Sequence, residues 1–74
     1  MIFDYSALNG KIIEVVGTQY EFSKQMDISE RSISLKLNNK VPWKSTEISK
    51  ACKLLQIKVE DIGKYFFKYK VQMN

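Results

Sequence analysis

Apolar residues recur at helical spacing through most of this chain and switch to strict alternation at its end. Leu8, Ile12, Val15 and Val16 give a first helix one apolar stripe. Asp4 or Ser6 is available to cap it, and Gly17 stands where a helix C-terminal glycine belongs. Thr18 with Glu21 three residues on reads as a capping box opening a second helix, whose Phe22 and Met26 face inward one turn apart. Ser23 is small enough to let another helix approach. Asp27 and Ile28 form a break, and Asp tolerates the left-handed backbone that a sharp turn needs.

Ser29 caps a third helix with Ile33 and Leu37 on its buried edge, and Asn38 and Asn39 end it. Residues 41–43, Val-Pro-Trp, are a loop, with Trp43 packed on helices three and four. A fourth helix starts at a Ser45 cap with Glu47 in its first turn, and buries Ile48, Ala51, Cys52 and Leu55. A short fifth helix spans residues 59–64, anchored by Val59 and Ile62.

In the tail, Phe67, Tyr69, Val71 and Met73 alternate with Lys68, Lys70 and Gln72, a strand pattern over about residues 66–74. A lone strand is unstable, and the chain offers no other convincing one. The pattern therefore predicts pairing with the same tail of a second subunit, with Phe67, Tyr69 and Val71 as dimerisation residues.

At 74 residues the chain makes one domain. A domain of this size buries only about 60% of its unfolded surface and has no room for a deep catalytic cleft. Its apolar fraction, 45%, is that of a folded protein. The opening MIFDYSALNG has no basic lead and no long apolar core, so no signal peptide is expected. With no membrane-length apolar run either, the expectation is a soluble cytoplasmic protein. One cysteine and no histidine leave neither an intrachain disulfide, nor the usual zinc ligands, nor the commonest general base. No cofactor or metal is expected, and an enzyme is the weakest reading.

A net charge of +4 favours an anionic partner, though eleven of the twelve basic residues are lysines that could equally be a solvated surface. Residues 18–39 narrow the choice. Two short capped helices joined by a tight turn are the form of a helix-turn-helix, in which the second helix enters the DNA major groove. Its outward positions here are Glu30, Arg31, Ser34 and Leu35. Arg31, the sole arginine, can bond a guanine edge bidentately, and Glu30 can accept from a cytosine amino group. Gln19, Ser29, Ser32, Asn38, Lys40 and Lys44 surround that helix as candidate DNA-backbone contacts. Either Leu35 covers a thymine methyl, or it is core and Lys36 faces out.

The opening FDYSALNGKI, the centre GTQYEFSKQMDISERSISLKLNNKVPW and the ending EISKACKLLQIKVEDIGKYFF together resemble the lambda-repressor-like helix-turn-helix regulators. They are most similar to small Cro-type repressors of phages and prophages of low-GC Gram-positive bacteria. The resemblance covers nearly the whole chain. It implies a mainly α, five-helix domain with a short C-terminal strand. It also implies a phosphate contact at Gln19, base-facing Glu30, Arg31 and Leu35, and a backbone contact at Asn38. Two positions depart from the pattern: Asp27 replaces a turn glycine, and Lys36 replaces an apolar residue, which leaves the rotation of the third helix open.

Two functions follow as expectations. The first is a dimeric repressor of a phage lysis/lysogeny switch, bound to double-stranded operator DNA through its third helix. The second is an antirepressor or modulator that uses the same fold to bind a partner phage repressor. Glu30 motivates the second, because a carboxylate at the head of a reading helix opposes phosphate.

Overall fold

The computed structural model describes residues 2–71. Its helices are α1 (Ser6–Val16), α2 (Gln19–Met26), α3 (Glu30–Leu37), α4 (Ser45–Leu55) and α5 (Ile62–Phe66), the last preceded by a 3-10 turn at Val59–Asp61. This is the expected mainly α, five-helix domain. Phe22, Phe66, Leu8, Ile12, Ile33 and Leu55 are fully buried at its centre. None of the described helices is long and apolar enough to cross a membrane.

Local chemistry sets the helix ends. The cap position of α1 is Tyr5, neither of the expected Asp4 and Ser6; Ser6 is already helical, and the Asp4 carboxylate, one residue before the cap, accepts from its N–H at 2.9 Å. Leu8 and Ile12 are buried and Val16 is packed against the core, whereas Val15 sits at the margin of the stripe and is exposed. Gly17 ends α1 at φ 98°, a backbone region hostile to side chains.

The capping box expected at Thr18 is only half made. Thr18 Oγ1 accepts from the Glu21 N–H at 3.0 Å, while the Glu21 carboxylate turns to Lys24 at 3.6 Å. On α4 it is the carboxylate half that forms. Glu47 accepts from the Lys44 N–H at 2.9 Å, so the cap position is Lys44 rather than the expected Ser45.

Left-handed residues without glycine terminate three helices: Asp27 (φ 59°), Asn39 (φ 62°) and Gln56 (φ 57°). After α2, the Ile28 N–H reaches Ser23 O and the Asp27 N–H reaches Lys24 O. After α3, the Lys40 N–H reaches Leu35 O and the Asn39 N–H reaches Lys36 O. Both are Schellman patterns, which satisfy the last carbonyls and turn the chain sharply. The Lys50 ammonium adds a charged donor to Met26 O at 3.0 Å, at the negative end of α2.

The rotation of α3 differs from the outward placement considered for Lys36. Lys36 is only 4% exposed and shares the core side of α3 with Ile33, while Leu35 and Leu37 are half-buried. Its Nζ lies 3.1 Å from Glu47 Oε1, donates to Pro42 O at 3.3 Å, and sits 5.9 Å over the Trp43 ring. Burial at Glu47 opposes ionisation. The Lys44 N–H and the Lys36 ammonium outweigh it and hold the carboxyl below its ordinary value. Trp43 packs edge-on to Phe66 of α5 as well as over Lys36. Cys52 is buried as expected, and burial pushes its thiol pKa up.

Two further expectations are corrected. Val59 is 82% exposed and does not anchor the fifth helix. As the first residue of the 3-10 turn, it leans past the edge of the core, because helical side chains tilt toward the N-terminus. Ile57 and Phe66 are buried instead, with Ile62 partly so.

The tail also finds a partner within its own chain. Phe3 and Tyr69 form an isolated antiparallel bridge, with Asp4 N–H to Lys68 O at 2.6 Å and Lys70 N–H to Ile2 O at 2.9 Å. Among the described residues the expected strand is reduced to this bridge, and Met73 lies outside them. The Phe3 N–H and C=O point the other way, to the Asn39 side chain. Oδ1 accepts from Phe3 N and Nδ2 donates to Phe3 O, each at 2.9 Å. Asn39 thus acts as a third strand one residue long. The Phe3 ring stacks on Tyr69 at 5.1 Å and meets Phe67 edge-on at 5.9 Å.

Three outcomes are expected. Lys36→Met should lower stability by about 2 kcal/mol, below the roughly 3–5 kcal/mol of a fully buried pair because Glu47 keeps its backbone partner. A double-mutant cycle with Glu47→Gln by urea unfolding should show coupling. Asn39→Ala should cost about 2–3 kcal/mol, from two hydrogen bonds and the left-handed backbone, and Asn39→Gly should be the milder change. Asp4, held down chiefly by the Ser6 N–H and also by Lys68, and Glu47 both have depressed folded pKa values. Their contribution is therefore present above the unfolded values and lost as pH falls through the folded ones. The Tm should be flat near neutrality and decline below about pH 4.5, the ordinary Glu value, with a shallower decline in Lys36→Met.

Candidate macromolecule-binding surface

The surface centres on α3. Its start is held by Ser29, whose Oγ accepts from the Ser32 N–H at 3.1 Å and donates to Ser32 Oγ at 2.9 Å. Both hydroxyls, expected to meet a DNA backbone, are thus engaged in capping. With Lys36 locked inward, Glu30, Ser34 and Asn38 fall on successive turns of the opposite face, and Arg31 lies beside them; all four are exposed. The Asn38 amide nitrogen, the donor that a DNA-backbone contact would use, folds back to Ser34 O at 2.8 Å. Leu35 is half-buried at the margin of this face.

A groove of about 530 Å³ runs between the N-terminal segment, the start of α2 and the end of α3. Gln19, Asn38 and Lys40, separate in sequence, line it together. Asn9 and Lys70 join them, and sequence reasoning had missed both. Gln19 Nε2 donates to Asn9 Oδ1 at 2.9 Å, which orients its amide at the mouth of α2. Amide and ammonium donors of this kind suit an anionic group. Lys44 is exposed but lies outside this lining.

Beside the turn between α2 and α3, a shallow cleft is lined by Tyr20, Lys24, Asp27, Ile28 and Glu30. Tyr20 is 53% exposed, with the Lys24 ammonium 5.3 Å from its ring centre. No sequence signal had marked Tyr20, because an exposed aromatic on a short helix has the same local pattern as a buried one. Phe67 and Tyr69 are each 52% exposed and Val71 is 82% exposed. Phe67 and Tyr69 keep one side on the Phe3 ring and expose the other, and the inner edge of their segment is already paired within the chain.

A small helical domain with one mixed-charge helix face and an adjoining polar groove is a binding module in form. The family model described as "protein of unknown function (DUF739)" matches residues 1–69, and the chain belongs to that family. It is also similar to a solved protein, the modulator of repression (MOR) of the temperate bacteriophage TP901-1 from Lactococcus lactis, known from a solution structure. The two are 56% identical over 97% of each chain, with a TM-score of 0.80. No curated protein matches the chain.

Proposed function

We propose that this protein is a phage modulator of repression that acts in the host cytoplasm by binding a phage repressor protein. The observation that carries this reading is the 56% identity to the TP901-1 modulator across 97% of both chains. At that identity and a TM-score of 0.80 the two chains share a fold, and a common role is the simplest expectation. The acidic residues at the turn between α2 and α3 agree with it. Asp27 and Glu30 line the cleft there, and their carboxylates would oppose the approach of phosphates.

A second reading, a Cro-like helix-turn-helix repressor on operator DNA, draws on one specific arrangement. The exposed Glu30, Arg31, Ser34 and Asn38 form one face, with Gln19 and Lys40 in the adjoining groove. In that reading Arg31 reads a base edge and the groove holds a phosphate.

A gel shift of operator DNA with the repressor of the same prophage separates the two. The modulator should move no DNA alone, yet change the repressor's apparent operator affinity at least tenfold. Should the protein by itself shift the operator, and Arg31→Ala weaken that shift by about 1–3 kcal/mol, the repressor reading replaces it.

A further inference from the structure

We propose that the outer edge of residues 67–71, together with the loop at residues 41–43, docks an extended acidic segment of a protein partner. This deepens the protein-partner reading above and rests on it. The first ground is backbone geometry. Lys68 C=O and Lys70 N–H face the inner edge, where they pair with Asp4 and Ile2. Tyr69 N–H and C=O must then face the outer edge, and no described backbone group meets them. An open edge of this kind is a template for an added strand.

Side chains supply the second ground. Phe67 and Tyr69 are exposed and both pack on the ring of Phe3, and Val71 beyond them is exposed as well. Beside Phe67 lies a small pocket of about 230 Å³ whose lining includes Val41, Pro42 and Trp43. Among the described residues the Trp43 indole N–H is buried with no hydrogen-bond acceptor. Buried donors are nearly always paired, so the loop around Trp43 is a place where a small rearrangement on binding can be offset by a new hydrogen bond. The pocket suits one apolar side chain.

Charge selects the occupant. Lys68 and Lys70 flank Tyr69, and Lys40 and Lys44 flank the loop; all four are exposed. Among the described residues, Lys68 alone of the four reaches salt-bridge distance, at 4.0 Å from Asp4; Lys70 also acts on Asp4 and Lys44 on Glu47, so four ammonium groups face two carboxylates. A second copy of the chain is disfavoured. Side chains alternate along a strand, so any register that sets the apolar rows of two tails side by side also sets their lysines side by side. An extended segment alternating apolar residues with Asp or Glu meets the same edge with both patterns complementary.

The test is NMR titration of the full chain, read at the Trp43 indole N–H and the amides of residues 67–71. The probes are an eight-residue peptide alternating Glu and Val, and two controls with Lys for Glu or Ser for Val. The Glu–Val peptide should shift these signals, and each control should bind at least fivefold more weakly. Lys70→Glu and Val71→Asp should each weaken it at least fivefold, and Val71→Asp, at a position 82% exposed, should do so without altering the Tm. Equal binding by either control, shifts confined to α3, or a dimer in sedimentation that Val71→Asp dissolves would overturn the proposal. In a parallel titration with the prophage repressor, shifts at residues 67–71 support it. Repressor binding mapped only to Glu30, Arg31 and Ser34 refutes this docking site but leaves the modulator reading standing. A repressor that does not bind at all refutes the modulator reading, and the peptide result then decides the docking site alone.

Discussion

The buried ammonium of Lys36 is the constraint on which the rest of the surface depends. A lysine can occupy the core side of a helix only if its charge is met there, because an unpaired buried charge is too costly to keep. Glu47 meets it from the first turn of α4, Pro42 offers a carbonyl, and Trp43 offers the face of a ring. Glu47 is itself fixed by the Lys44 N–H. The pair therefore sets the rotation of α3 and the position of α4 together. Once Lys36 points inward, Glu30, Ser34 and Asn38 must point outward and Leu35 falls at the margin.

Asn39 carries the same logic to the other end of α3. Its left-handed backbone stops the helix, and its side-chain amide pairs with both backbone groups of Phe3. Phe3 in turn pairs with the tail through the bridge to Tyr69. Two neighbouring residues, Lys36 and Asn39, thus tie α3 to α4, to the N-terminal segment and to the tail. The groove holding Gln19, Asn38 and Lys40 exists because these ties hold its walls together.

The two surfaces differ in chemistry. The α3 face and its groove offer charges and amides, with carboxylates near the turn that oppose a polyanion. The tail surface offers aromatic rings, an open backbone edge and lysines. The tail surface supplies exposed apolar area of the kind on which protein–protein contacts depend, which the α3 face lacks.

Much of the fold was legible along the chain because it rests on local rules. The core positions Leu8, Phe22, Ile33 and Leu55 followed from helical spacing, the turn at Asp27 from its tolerance of left-handed backbone, and the α2 and α3 starts from Thr18 and Ser29. So did the exposure of Glu30, Arg31 and Ser34. What local pattern could not carry was any pairing between distant residues. Lys36 reads as a surface residue until Glu47 is beside it. Asn39 reads as a helix stop until Phe3 arrives, and the tail reads as an orphan strand because its partner segment is too short to show a period. Spacing along the chain determines which residues can share a face. Which face is turned inward, and which buried polar group is paired, is decided only when the helices pack, since the energy of a buried charge or amide depends on a partner that the local sequence does not contain.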